Sequence, residues 1–152
     1  MSTPPPTADR DQALGRLSRA AYSLSAADSR LRGRATRTPG ALSLTHARAL
    51  RVLAEEGPLP IGRLAASTET TGAAATQLVN GLEAAGYVSR DKVPGDRRSV
   101  VVSLTEAGRR RHQERELTLA TALSEALAHH DAAALEAAGD VLRRLAEVYD
   151  RL

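Results

Sequence analysis

The chain has 152 residues, a formal net charge of +3 and 2 % aromatic content, with neither Phe nor Trp; that length suits one domain of ordinary size. With no cysteine, disulfides, thiolate metal sites and thiol redox chemistry are excluded, and no apolar run approaches the roughly 20 residues of a membrane span. Many apolar positions are Ala, which buries little surface, so one copy offsets its ordering entropy poorly and a second copy is expected to complete the core. Up to residue 111 there are 17 basic and 10 acidic side chains, and beyond it 4 and 8. The basic excess marks the part expected to meet a polyanion.

The N-terminus, MSTPPPTADRDQ, lacks the basic start and apolar stretch of a signal peptide. Residues 1–9 read as a disordered tail, and the protein as cytoplasmic. From Leu14 the spacing of Leu17, Ala21, Leu24 and Leu31 predicts an amphipathic helix within residues 10–40, ended by Arg34–Gly40. A second helix is predicted from about Thr45 to Glu56, capped by Ser43 or Thr45, with Gly57-Pro58 as its stop signal. Pro60 opens a short helix over Ile61–Ala66, and the polar string Ser67–Thr71 makes a turn and offers N-caps.

The helix predicted over Gly72–Ala85 is the informative one. Ala75, Leu78, Val79 and Leu82 share one face at 100° per residue. The other carries Ala73, Gln77, Asn80 and Gly81, with Thr76 on its flank. Small and amide side chains on an exposed face suit entry into a groove, and Gln or Asn can pair with adenine; an ordinary surface helix would look the same. After Gly86 the period becomes two, predicting strands Tyr87–Val93 and Ser99–Leu104 with Val93–Arg98 as a hairpin tip. Arg97 and Arg98 at such a tip are explained better by phosphates or a minor groove than by packing. Thr105 then caps a long helix reaching about Ala128, and Asp131 caps a last one over Ala132–Arg151. Their stripes, Leu119, Leu123 and Leu127 and then Leu135, Ala138, Leu142, Leu145 and Tyr149, are read as dimerisation faces.

This order of elements resembles the MarR family of bacterial regulators, and three local patterns carry the resemblance. The first is Leu64-Ala65, sixteen residues, then Leu82-Glu83 and Gly86-Tyr87-Val88-Ser89-Arg90. The second is Thr76-Gln77-Leu78-Val79. The third and most specific is Asp96-Arg97-Arg98, followed by Val100, Val102 and Leu104-Thr105-Glu106-Ala107-Gly108. The implied fold is mainly α with a small β-wing: a winged helix-turn-helix over 41–105, flanked by dimerisation helices in 10–40 and 106–152. The implied function is a DNA-binding transcription regulator, a repressor more often than an activator, seated as a homodimer on a pseudo-palindromic operator. By position Thr71, Ala73, Ala74, Thr76, Gln77 and Asn80 would face double-stranded DNA. Arg98 would reach the minor groove with Asp96 bracing it, and Arg97 and Arg90 would meet phosphates. A charged pair orients a guanidinium before contact, so less entropy is lost on binding.

The pattern departs from the family at Gln77, where an Arg is usual. It departs again at Thr68 and Thr70, whose positions are usually apolar, which is expected to weaken packing of the turn. Gly72 and Gly81 are expected to soften the helix, an interior Gly costing about 0.5–1 kcal/mol. The resemblance further implies a small aromatic or phenolic effector; Arg16, Arg19, Tyr22 and His46 are candidates to line its pocket, with ordinary surface roles as the alternative. No catalytic group, metal or cofactor is expected: His46, His112, His129 and His130 have no HExxH spacing. The rival reading is a winged-helix module that binds protein instead of DNA.

Overall fold

The computed structural model describes residues 7–35, 37–38 and 41–152. They form two compact units, the first reaching His112 and the second spanning Gln113–Leu152.

Helix α1 covers Thr7–Ala35 and buries none of its residues. It starts earlier than the tail predicted over 1–9 allows: residues 7–9 are helical, and residues 1–6 lie outside the described ones. Asp9 in the first turn and Arg32 and Arg34 in the last complement the helix dipole. The chain leaves the helix through hydrogen bonds from the Arg37 and Thr38 N–H groups to the Arg34 carbonyl, 3.0 and 2.9 Å long. Thr36, Pro39 and Gly40 of the predicted terminator lie outside the described residues.

Helix α2 (Leu44–Glu56) is capped by Ser43, whose hydroxyl accepts from the His46 N–H. It ends at Gly57, whose φ of 82° is one that other residues rarely adopt. A two-residue strand, β1 (Leu59–Pro60), leads into α3 (Ile61–Ser67) and α4 (Gly72–Ala84). The hairpin is β2 (Val88–Val93) and β3 (Asp96–Leu104), followed by α5 (Glu106–Ala126) and α6 (Ala132–Tyr149).

The wing therefore has three antiparallel strands in the order β1-β3-β2, where the sequence predicts two. Leu59 pairs with Val102 and Pro60 with Val101. Two residues show no alternation, which is why the sequence hides this strand, and Pro is tolerated on its edge. The tip is also shorter than predicted. Asp96, Arg97 and Arg98 belong to β3, Val93 pairs with Asp96, and only Pro94-Gly95 makes the turn. Pro followed by a Gly at φ 84° is the pair that a turn with a left-handed second corner requires.

The core of the first unit closes around the predicted inner face of α4. Ala75, Leu78, Val79 and Leu82 are all buried there, against Leu50 and Leu53 of α2, Leu64 of α3 and Val102 of β3. Each such Leu or Val contributes roughly 1.5–3 kcal/mol, and this packing fixes which face of α4 is left outside. In the second unit the predicted stripes are present but uncovered: Leu119, Leu123 and Leu127 on or just after α5, and Leu135, Leu142 and Tyr149 on α6, are all exposed.

Candidate nucleic-acid interface

The turn between α3 and α4 sets the angle at which α4 leaves the core. Glu69 takes a φ of 54°. Its carboxylate meets Arg48 at 2.8 Å, and Arg48 also donates to the Ser67 carbonyl at 3.1 Å. The predicted weakness at Thr68 and Thr70 is corrected here. Thr68 is buried, but its hydroxyl donates to the Leu64 carbonyl at 2.8 Å and lies 3.0 Å from the Thr70 hydroxyl. A buried hydroxyl with partners carries little penalty.

Thr71 is the N-cap of α4, its hydroxyl accepting from the Ala74 N–H at 3.1 Å, and the Thr76 hydroxyl donates to the Gly72 carbonyl at 3.1 Å. Gly72 is the first helical residue, so only Gly81 is an interior glycine, and it faces His46: a Cβ there would stand 3.4 Å from His46 Nε2. Thr71, Ala73, Ala74, Thr76, Gln77 and Asn80 are all exposed. The outer face of α4 is thus small, polar and open.

Arg90, on β2, is held by α4. One guanidinium nitrogen donates to Glu83 Oε2 at 2.8 Å and another to Asn80 Oδ1 at 2.6 Å. The family resemblance implies a phosphate contact at this position. In the structure the guanidinium is partly buried and bonded to a carboxylate and an amide. Glu83 is the residue that sequence reasoning missed; the only available signal was an acid seven residues before an Arg across the Gly86 turn.

At the wing, Asp96 braces the hairpin but not through the charged pair predicted with the Arg98 guanidinium. Its Oδ1 accepts the Arg98 backbone N–H at 2.9 Å and its Oδ2 accepts the Ser99 hydroxyl at 2.6 Å. These bonds, Ser99 first, lower the carboxyl's pKa. A short carboxylate reaches the backbone two residues on more readily than a long side chain's far end. Arg97 and Arg98 are exposed, and among the described residues neither guanidinium has an ion-pair partner.

The base of the hairpin is clasped by the start of α5. The Thr105 N–H donates to the Tyr87 carbonyl at 3.1 Å. The Thr105 hydroxyl donates to the Gly86 carbonyl at 2.6 Å and accepts from the Gly108 N–H at 3.0 Å. A Cβ on Gly108 would stand 2.0 Å from the Tyr87 carbonyl oxygen. The Leu-Thr-x-x-Gly spacing is a joint between strand and helix.

An open cavity of about 1120 Å³ lies between the end of α1, the start of α2 and α4. Of the four predicted pocket residues only His46 lines it; Arg16, Arg19 and Tyr22 are exposed on α1 away from it, and Arg32, Arg37 and Tyr87 line it instead. Apolar periodicity places α1 residues on a face but says nothing of which turn reaches the cavity. His46 Nδ1 lies 2.7 Å from the Ser43 hydroxyl, and burial lowers its pKa below 6.5. The folded state therefore favours neutral imidazole. Its contribution is whole above pH 6.5 and is lost as pH falls through the depressed folded value. Denaturation midpoints at pH 7.5 and 5 are expected to fall more in wild type than in His46→Gln; equal falls would refute this. Among the described residues, no group of three or more His, Asp or Glu stands close enough to hold a metal ion, and no helix is long and apolar enough to cross a membrane.

Residues 42–99 match the model of the MarR family. An uncharacterised HTH-type transcriptional regulator of Bacillus subtilis, YcgE, is 47 % identical over 51 residues, 34 % of this chain. That match spans about a third, 33 %, of YcgE's own length. A probable transcriptional regulator from Pseudomonas aeruginosa superposes with a TM-score of 0.65 at 28 % identity, over 82 % of this chain and 95 % of its own. The Bordetella bronchiseptica protein BpsR, whose DNA binding is regulated by 6-hydroxynicotinic acid, shares the fold with a TM-score of 0.65 at 22 % identity, over 88 % and 98 % of the two chains. Over residues 42–99, the stretch that holds the winged helix-turn-helix, the chain is thus similar to the MarR family, and it shares the fold of solved transcriptional regulators.

Proposed function

We propose that this chain is a cytoplasmic repressor that binds a pseudo-palindromic operator as a homodimer and is released by a small effector. Two copies of α4 enter successive major grooves about one helical turn apart. Arg98 enters the flanking minor groove and Arg97 meets phosphates. Residues 10–40 and 106–152 hold the two copies together, covering the apolar rows of α5 and α6. The observation that supports this reading most is the open outer face of α4, small and amide-bearing from Ala73 to Asn80. It shares one unit with a hairpin whose two arginines are exposed and, among the described residues, have no ion-pair partner. A small aromatic or phenolic acid fits the cavity beside α4, where Arg32, Arg37 and His46 supply positive or hydrogen-bonding groups around apolar walls. The 6-hydroxynicotinic acid of BpsR is of this chemical class.

The test is selection from a random duplex pool, followed by titration of the selected site at 50 and 200 mM salt with the mass of the complex measured. Two chains per site are expected. Four arginines per dimer, Arg97 and Arg98 of each copy, would displace counterions from the duplex, so affinity is expected to weaken roughly a hundredfold over that salt range. A monomer, or binding indifferent to salt, would count against the reading and favour a protein-binding module.

A further inference from the structure

The clasp between Arg90 and Asn80 bears on base choice. Arg has only N–H donors, so the atom that Asn80 turns toward it must be the carbonyl oxygen. The 2.6 Å contact from Arg90 to Asn80 Oδ1 therefore fixes which way round the amide stands. Glu83 holds the same guanidinium from its other side at 2.8 Å, so Arg90 is kept in place by two acceptors on one helix. Asn80 is exposed on the outer face of α4, and what its amide has left to offer is the Nδ2 group with two N–H donors. A cation on the oxygen draws density from the amide, which strengthens those donors and weakens the oxygen toward a second partner.

We propose that Arg90 is a positioning residue for base choice: it makes Asn80 a donor-only reader that selects guanine over adenine in the major groove. Guanine shows two acceptors there, N7 and O6. Adenine shows N7 beside an amino donor, and its usual pairing with Asn requires the amide oxygen as well as the nitrogen. The proposal rests on the DNA reading above. It reverses the adenine preference that an unconstrained Asn would bring.

Selection from a randomised duplex pool tests it, with wild type, Asn80→Ala and Arg90→Met compared. Wild type is expected to favour guanine over adenine at one position of each half-site on the order of tenfold. Asn80→Ala is expected to flatten that position alone, and Arg90→Met to turn it toward adenine while the other positions keep their preferences. In the free protein, the Asn80 side-chain amide resonances are expected to shift in Arg90→Met. If Arg90→Met fails to fold, Arg90→Lys serves, since a single ammonium cannot hold both acceptors in the same geometry. Should Arg90→Met or Arg90→Lys lower affinity uniformly and leave the preference intact, Arg90 is a phosphate contact or a purely structural residue, and the proposal falls. A wild type that selects no sequence at all overturns the DNA reading itself.

Discussion

Gly108→Ala is expected to destabilise the first unit by about 3 kcal/mol or more, enough to leave much of the sample unfolded near 37 °C. The added methyl has no room: its carbon would stand 2.0 Å from the Tyr87 carbonyl oxygen and 3.2 Å from Leu104 Cδ2. The obstacle is backbone, which cannot swing aside as a side chain can. Relief requires α5 to move away from the hairpin, and that move breaks the Thr105 bonds to Gly86 and Tyr87. Urea denaturation followed by circular dichroism would measure it. Gly62→Ala is the control, because nothing lies within 4 Å of a Cβ there; in that helix, alanine is expected to stabilise by about 0.5–1 kcal/mol. If the two variants unfold at the same urea concentration, the close approach at Gly108 is not what the motif glycine serves.

Arg98→Ala is expected to have the largest effect on DNA affinity. Each of two hairpins per dimer would lose a charge-assisted contact of about 1.5 kcal/mol, on the order of a hundredfold in total. The loss is expected on selected and unselected duplex alike, with the slope of log affinity against log salt shallower by about 2. Gln77→Ala is the contrasting variant. Its side chain is exposed on α4 and uncharged, so preference should change while the salt slope holds. Titration of both variants against one selected site and one scrambled site would decide. An Arg98→Ala protein that binds as tightly as wild type would remove the hairpin from the interface.

What the sequence made legible was whatever periodicity and punctuation encode. The buried face of α4, the Ser43 and Asp131 caps and the Gly57 stop all follow from local rules that the structure obeys. Contacts between elements were not legible. The pairing of Leu59 with Val102 depends on a strand too short to show a period. The hold of Glu83 and Asn80 on Arg90 depends on how far α4 stands from β2. At Asp96, residue type alone does not say whether a carboxylate will find a guanidinium or the nearer N–H. The cavity shows the same limit: arginines recur along α1, and it is the end of that helix, beside α2, that brings Arg32 rather than Arg16 to the wall.

The joint at Thr105 and Gly108 gives the hairpin the mechanics of a lever with a fixed fulcrum. Its root cannot tilt without dragging the first turn of α5, so whatever freedom the finger has must lie farther out. There the ladder is irregular between Lys92 and Val93, and the bend is made by Pro94-Gly95 alone. A finger stiff at the root and yielding at the end can follow a groove whose width varies with sequence, while the helix beside it keeps its aim.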